Sequence, residues 1–289
     1  MLRNFKVFTP SSLQQTLELI DGLKEPFRFI CGGTDVLVRL KDNPAYAKLL
    51  VDISGLSELS KIEEHKSTYV VGATCRHTQT VSYEPFRKHY PGLVEAVNSI
   101  GSPQIRALGT LGGNIGNSSP AGDSIPPLLA FDAELELRSV SANRKILLRD
   151  FFTGPGKSVL APNEIITKVI IPKCEGFRSG WVRLGQRKGF AISKVSVAVA
   201  FRTAVHPNGS VKLEDIRIAL GAVAPKVIRA SKTEKFMIEE QNLTPSLIAK
   251  AATLLSQEAS PITDIRSSES YRRAMCSALF SELMERLSK

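Results

Sequence analysis

The chain is poor in the residues that build metal sites and stacking surfaces. Its 289 residues include four cysteines, four histidines and a single tryptophan, and aromatic residues make up only 7%, too few for a nucleic-acid surface built on stacked rings. Cys31, Cys75, Cys174 and Cys276 are far apart, with no CxxC and no histidine partner at ligand spacing. That pattern writes neither a zinc nor an iron–sulfur site locally and points to reduced, structural thiols. His65, His77, His89 and His206 are equally scattered and are expected at the surface or in loops, and no nucleophile triad is legible. No run of about eighteen apolar residues exists, and Met1-Leu2-Arg3-Asn4-Phe5-Lys6 lacks the apolar stretch of a secretory signal, so a cytoplasmic protein is expected. Neither GxGxxG nor GxxxxGK[ST] occurs, which excludes the two commonest glycine-rich phosphate motifs.

What is present is enough apolar material, 43% of residues, to bury cores in two domains that share an interface. Lys and Arg outnumber Asp and Glu by 38 to 28, a formal charge of +10. Such a balance suits an acidic protein partner or a phosphorylated ligand, while the spread of basic residues along the chain argues against nucleic acid.

Two glycine pairs carry the chemistry. One lies in Arg28-Phe29-Ile30-Cys31-Gly32-Gly33-Thr34-Asp35, the other in Thr110-Leu111-Gly112-Gly113-Asn114, followed by Ser119-Pro120-Ala121-Gly122-Asp123. Main-chain N–H groups in a tight concave turn hold a diphosphate well, and glycine lets the backbone approach closely and adopt positive φ. Each pair alone also suits a plain turn after a strand. Phe29-Ile30-Cys31 reads as a short buried strand leading into the first turn, with a helical turn from Val36 to Leu40 beyond it.

Along the chain, Ser11 or Ser12 caps a helix with Leu13, Leu17 and Ile20 on one face, ended by Gly22. A strand at 49–53 completes a small parallel unit. Strands follow at 69–73, 133–137 and 165–171, the last ending at Pro172, and Pro91 opens a helix that stops at Gly101. The stretch from Ser102 to Asp123 has no sustained periodicity and reads as a ligand-wrapping loop. The region after a boundary near 174 mixes alternating strands at 195–201 and 216–220 with helices near 244–257 and 268–287. Tyr271, Met275, Ala278, Leu279, Met284 and Leu287 are expected in its core.

With Gly101-Ser102-Pro103-Gln104-Ile105-Arg106, Phe151-Phe152-Thr153-Gly154-Pro155-Gly156-Lys157 and Asn163-Glu164-Ile165-Ile166 added to the two glycine segments, the chain resembles, over essentially its whole length, the FAD-binding subunit of xanthine dehydrogenase-like molybdenum hydroxylases. The resemblance implies an α+β protein. A two-part FAD-binding domain of the vanillyl-alcohol oxidase (PCMH) type would occupy 1–174, with its lobe boundary near 55. A smaller domain of the CO dehydrogenase flavoprotein type, an antiparallel sheet with helices, would occupy 175–289. Carried over residue by residue, Arg28, Phe29, Ile30, Cys31, Gly32, Gly33, Thr34 and Asp35 would wrap the FAD diphosphate. Thr110, Leu111, Gly112, Gly113 and Asn114 would supply the second turn, and Asp123 would accept from sugar or ribityl hydroxyls.

Ile165 and Ile166 match an apolar position that packs on the flavin or adenine in relatives, although both also suit plain strand core. Arg183 stands where relatives often place a lysine near the isoalloxazine, and Phe190, in Lys188-Gly189-Phe190-Ala191-Ile192, lies in a segment that approaches the ring. No catalytic acid or base is named. The family's division of labour places molybdopterin and 2Fe-2S clusters in partner subunits of a hetero-oligomer, with NAD or another acceptor taking electrons from FAD. A stand-alone FAD-dependent oxidase or reductase of a small molecule is the alternative, and a scaffold without flavin a third reading.

Overall fold

The computed structural model describes residues 5–187, 189–205 and 211–289; Lys188 and His206, named above, lie outside them. The amino-terminal unit alternates β1 (Lys6–Phe8), α1 (Leu13–Gly22), β2 (Phe27–Ile30), α2 (Val36–Asp42) and β3 (Leu49–Asp52). The three strands form a parallel sheet in the order β1-β3-β2, as the β-α-β pattern predicts. Ser12 is the cap of α1, its hydroxyl accepting from the Gln15 amide. Leu13, Leu17 and Ile20 then fall on one helix face and pack with Val51, Ile53, Leu56 and Leu59. Each such side chain taken from water contributes about 1.5–3 kcal/mol, which is what fixes α1 on the sheet.

The chain continues through β4 (Ile62–Glu64), β5 (Thr68–Gly72), α3 (His77–Ser82), α4 (Glu84–His89), α5 (Pro91–Asn98), α6 (Pro103–Leu108), α7 (Leu111–Gly116) and α8 (Ile125–Ala130). Then come β6 (Glu134–Arg138), β7 (Asn143–Leu147), α9 (Leu148–Phe151), the small hairpin of β8 (Phe152–Gly154) and β9 (Lys157–Ser158), and β10 (Ile165–Pro172). The second sheet is antiparallel in the order β4-β5-β10-β6-β7. The stretch expected to be one irregular loop, 102–123, contains α6 and α7. At six residues each, these helices are too short to show a period, and they start where Ser102 and Thr110 hydroxyls accept from the Ile105 and Gly113 amides.

The carboxyl-terminal unit is a four-stranded antiparallel sheet, β11 (Arg178–Leu184), β12 (Val195–Val205), β13 (Val211–Gly221) and β14 (Ile228–Arg229), with α10 (Ser231–Glu240), α11 (Pro245–Glu258) and α12 (Glu269–Ser288) on one face. Val195, Val197, Val199 and Phe201 of β12 face these helices, while Ala198 and Ala200 turn toward the core of the preceding unit. In α12, Leu279 and Met284 are buried as expected, but Tyr271 is 46% exposed and Ala278 is also exposed. The true core face carries Arg272, Cys276, Phe280 and Leu283. Arg272 is buried with its charge met: its guanidinium donates to the Ala222 carbonyl and pairs with Asp264 at 2.7 Å. Among the described residues no helix is long and apolar enough to cross a membrane.

Candidate functional site

The first glycine turn leaves the carboxyl end of β2. Ile30 still accepts from the Ile53 amide, and beyond it the Gly32 amide faces the Cys31 thiol, while the main-chain amides of Gly33, Thr34 and Asp35 meet no protein acceptor among the described residues. Gly33 has φ +71°, the left-handed region that only glycine enters without strain. A Cβ at Gly32 would lie 1.9 Å from the Leu108 carbonyl oxygen. The turn therefore seats directly on the Leu108–Gly109 peptide, at the entrance to the second glycine segment, and the two distant stretches do converge. Cys31, at the start of the turn, has its thiol pKa raised by burial and by Asp52, which keeps it protonated and unreactive.

The second segment lies beside the first, with most of its main-chain amides already paired. The Leu111 amide donates to the Cys75 carbonyl, Gly112 to Ala73, Gly113 to the Thr110 hydroxyl and Asn114 to the Thr110 carbonyl, all at 3.0–3.1 Å. The amides from Leu111 to Asn114 are thus engaged within the protein, and that of Thr110 meets no protein acceptor among the described residues. Gly112 is needed for close packing, since a Cβ there would come within 2.6 Å of the Ala73 carbonyl oxygen, whereas Gly113 is exposed and meets only Thr110. Asn114 accepts from the Ser124 hydroxyl at 2.7 Å. The open main-chain amides of the two segments therefore lie mostly in the first turn, and the second packs behind it.

Asp123 is 7% exposed, and burial pushes its carboxyl up to about 6 although Ser193 and Arg183 both favour the ionised form. Ser193 donates to Oδ1 at 2.6 Å, and Arg183 Nη1 to Oδ2 at 2.8 Å. Arg183 also donates to the carbonyls of Ala191 and Ser99, so it is a tethered cation joining the end of β11 to two loops. Its pairing with Asp123 is one that sequence separation hides.

Phe190 is 63% exposed with φ 51°, an outlier for a bulky residue, and Arg187 donates to the carbonyls of Gly189 and Phe190 to hold that turn. Ile165 packs with the α1 core, and Ile166 lies in the larger core with its Cδ1 near Gly116. Arg28 is exposed, its guanidinium 4.9 Å from the Tyr46 ring centre; Phe29 and Ile30 are half-buried strand residues, and Thr34 is half-buried in the turn.

Two residues at the junction of the turns escaped sequence reading. Asn117, at the carboxyl end of α7, donates from Nδ2 to Asp35 at 3.2 Å and accepts at Oδ1 from Arg39 at 2.6 Å. His77 was expected at the surface, yet it is 2% exposed, with its ring under Gly109 and its Nδ1 buried without a partner. Burial, with Arg106 adding to it, lowers its pKa to about 4, so it is a neutral support beneath the peptide on which Gly32 rests. Its only sequence signal is a place two residues after Cys75, in a segment that pairs with the second turn through Arg76 and Thr110. Among the described residues no group of His, Cys, Asp and Glu is arranged to hold a metal ion.

Residues 3–174 match the family described as the FAD binding domain in molybdopterin dehydrogenase, and residues 181–287 match the CO dehydrogenase flavoprotein C-terminal domain. The chain is 35% identical to the nicotinate dehydrogenase FAD-subunit of Eubacterium barkeri over 70% of each chain. It is 32% identical to the xanthine dehydrogenase FAD-binding subunit of Escherichia coli O157:H7 over 85% of this chain and 83% of that one. Its fold superimposes on a chain of the carbon monoxide dehydrogenase from Hydrogenophaga pseudoflava with a TM-score of 0.92 at 26% identity, covering 100% and 98% of the two chains. The chain therefore belongs to the family of FAD-binding medium subunits of xanthine dehydrogenase-like molybdenum hydroxylases, which are oxidoreductase components.

Proposed function

We propose that this chain is the electron-transfer subunit of a molybdenum hydroxylase, binding FAD, receiving electrons from a 2Fe-2S subunit and passing them to NAD or another acceptor in a cytoplasmic complex. The observation that carries the reading is the run of unengaged amides from Gly33 to Asp35 in a glycine turn seated on the Leu108–Gly109 peptide. A diphosphate fits that cradle, because consecutive N–H groups supply partial positive charge and hydrogen bonds where a Cβ would obstruct both. FAD, when bound, supplies the redox chemistry; the protein supplies placement and charge.

The residues divide that work. The first turn binds, and the second turn with Asn114 closes its back. Asp123 offers lone pairs beyond the two bonds it already accepts, for hydroxyl donors. Arg183 brings a fixed cation to the same place, and Phe190, held out on the Arg187-braced turn, is the ring placed to cover a flat cofactor. We assign the cofactor domain to 1–174, with its lobe boundary near 55, and the smaller domain to 175–289. The molybdopterin and 2Fe-2S centres belong to partner subunits.

The test is purification of the protein with whatever copurifies, followed by an absorption spectrum, acid release of the flavin and metal analysis. One FAD per chain, with iron and molybdenum in the copurifying subunits, supports the reading. Colourless protein that takes up no FAD, or a flavoprotein that turns over a small molecule without metals, overturns it. Bleaching of the flavin absorbance by NADH under anaerobic conditions checks the assignment of NAD, and no bleaching removes it.

A further inference from the structure

The cradle has a difficulty built into it. Asp35 places a carboxylate in the same turn whose amides are to receive an anionic diphosphate. Aspartate side chains readily turn back on neighbouring main-chain N–H groups, and a carboxylate there would occupy the donors and repel the ligand. Asp35 immediately precedes α2 yet makes no side-chain bond to it. Its Oδ1 is taken by Asn117 Nδ2 at 3.2 Å instead.

The Asn117 amide cannot be flipped without loss. Its oxygen accepts from the Arg39 guanidinium at 2.6 Å, so exchanging oxygen and nitrogen would set two donors together at Arg39 and two acceptors together at Asp35. Arg39 thus fixes the orientation in which Asn117 draws Asp35 aside, and its charge offsets that of the carboxylate. Desolvation raises the Asp35 pKa, and the Arg39 charge works against that rise by favouring the carboxylate. Asp35 lies at the start of α2, Arg39 one turn further along it and Asn117 at the end of α7, so the relay also ties the first turn to the second.

We infer that Asn117 is a positioning residue for cofactor binding: by holding the Asp35 side chain away from the Gly33–Asp35 amides, it keeps that turn open to the diphosphate. The inference rests on the proposed FAD-binding function and adds a residue and a mechanism to it.

The experiment strips the purified full chain of flavin and titrates it with FAD, following the quenching of flavin fluorescence, with a thermal melt by circular dichroism as the fold control. Wild-type protein that fails to bind FAD defeats the proposed function itself. If wild type binds, Asn117→Ala is expected to bind roughly five- to tenfold more weakly, the scale of one screened charge contact. The double variant Asp35→Ala/Asn117→Ala is expected to recover most of that loss, because the amide of residue 35 remains and the competing carboxylate is gone. Unchanged affinity in Asn117→Ala overturns the inference. So does a loss that the double variant fails to recover, since Asn117 would then act through packing or by touching the cofactor directly.

Discussion

Two buried ionisable residues flank the site and pull in opposite directions. His77 is held neutral with its pKa lowered to about 4, so relative to an unfolded histidine it binds fewer protons, and its contribution makes stability rise with pH from about 4 to about 6.5. Asp123, with its pKa raised to about 6, binds more protons folded than unfolded, and its contribution makes stability fall between about 3.9 and about 6. Each is worth on the order of 3 kcal/mol across its window, and in the shared range from about 4 to about 6 they largely cancel. Urea unfolding between pH 4 and 6.5 should therefore show opposite tilts relative to wild type. His77→Gln leaves the Asp123 slope exposed and loses stability as pH rises; Asp123→Asn leaves the His77 slope and gains it. Two variants tilting the same way would show that these groups do not titrate in the environments described.

At the scale of elements, legibility followed length and period. The ten residues of α1 and the alternating strands β6 and β12 declare themselves, because their buried faces repeat often enough to be counted. The six-residue helices α6 and α7 do not, and their order comes from contacts distant in sequence. The same divide runs through the site: glycine spacing located both turns, while the division of labour between them depends on the Ala73–Cys75 carbonyls, and the Arg183–Asp123 pair joins residues 60 positions apart. Arg272 and His77 look like surface residues because the groups that bury them lie elsewhere in the chain. The docking of α7 on the end of β5 can be tested directly. Gly112→Ala would set a Cβ within 2.6 Å of the Ala73 carbonyl oxygen and within 2.7 Å of its Cβ, neither of which is the end of a flexible side chain. The expected destabilisation is about 1–3 kcal/mol by chemical denaturation, with weaker FAD retention because the wall behind the first turn shifts. Gly113→Ala, at an exposed position whose new methyl would meet only the Thr110 hydroxyl, should cost less. Equal losses would contradict the packing argument.

For the molecule as a whole, the question is whether the cofactor-binding part and the carboxyl-terminal part are separate units or one. The terminal sheet is covered on both faces: valines and Phe201 of β12 bury against α10–α12, while Trp181, Ala198, Ala200 and Ala219 join the core formed by α5, α8 and the second sheet. Small residues on that second face let the α8 helix lie close against β12 and β13. Polar ties reinforce the junction. Glu95 of α5 accepts from the Trp181 amide and from Arg286 of α12, both at 2.8 Å, and Arg229 pairs with Asp132 at 2.7 Å. A shared apolar core of this kind makes independent unfolding costly, because separating the parts would expose Trp181 and the alanine face together. Trp181 is the sole tryptophan and is 6% exposed, which makes its fluorescence a reporter of the junction. In guanidinium chloride the red shift of tryptophan emission should coincide with the loss of far-UV ellipticity in a single transition. Glu95→Ala should move both midpoints down together, keeping them coincident. If emission shifts at a lower denaturant concentration than ellipticity in the wild-type protein, the parts separate before they unfold, and the junction is a contact between two domains rather than a common core.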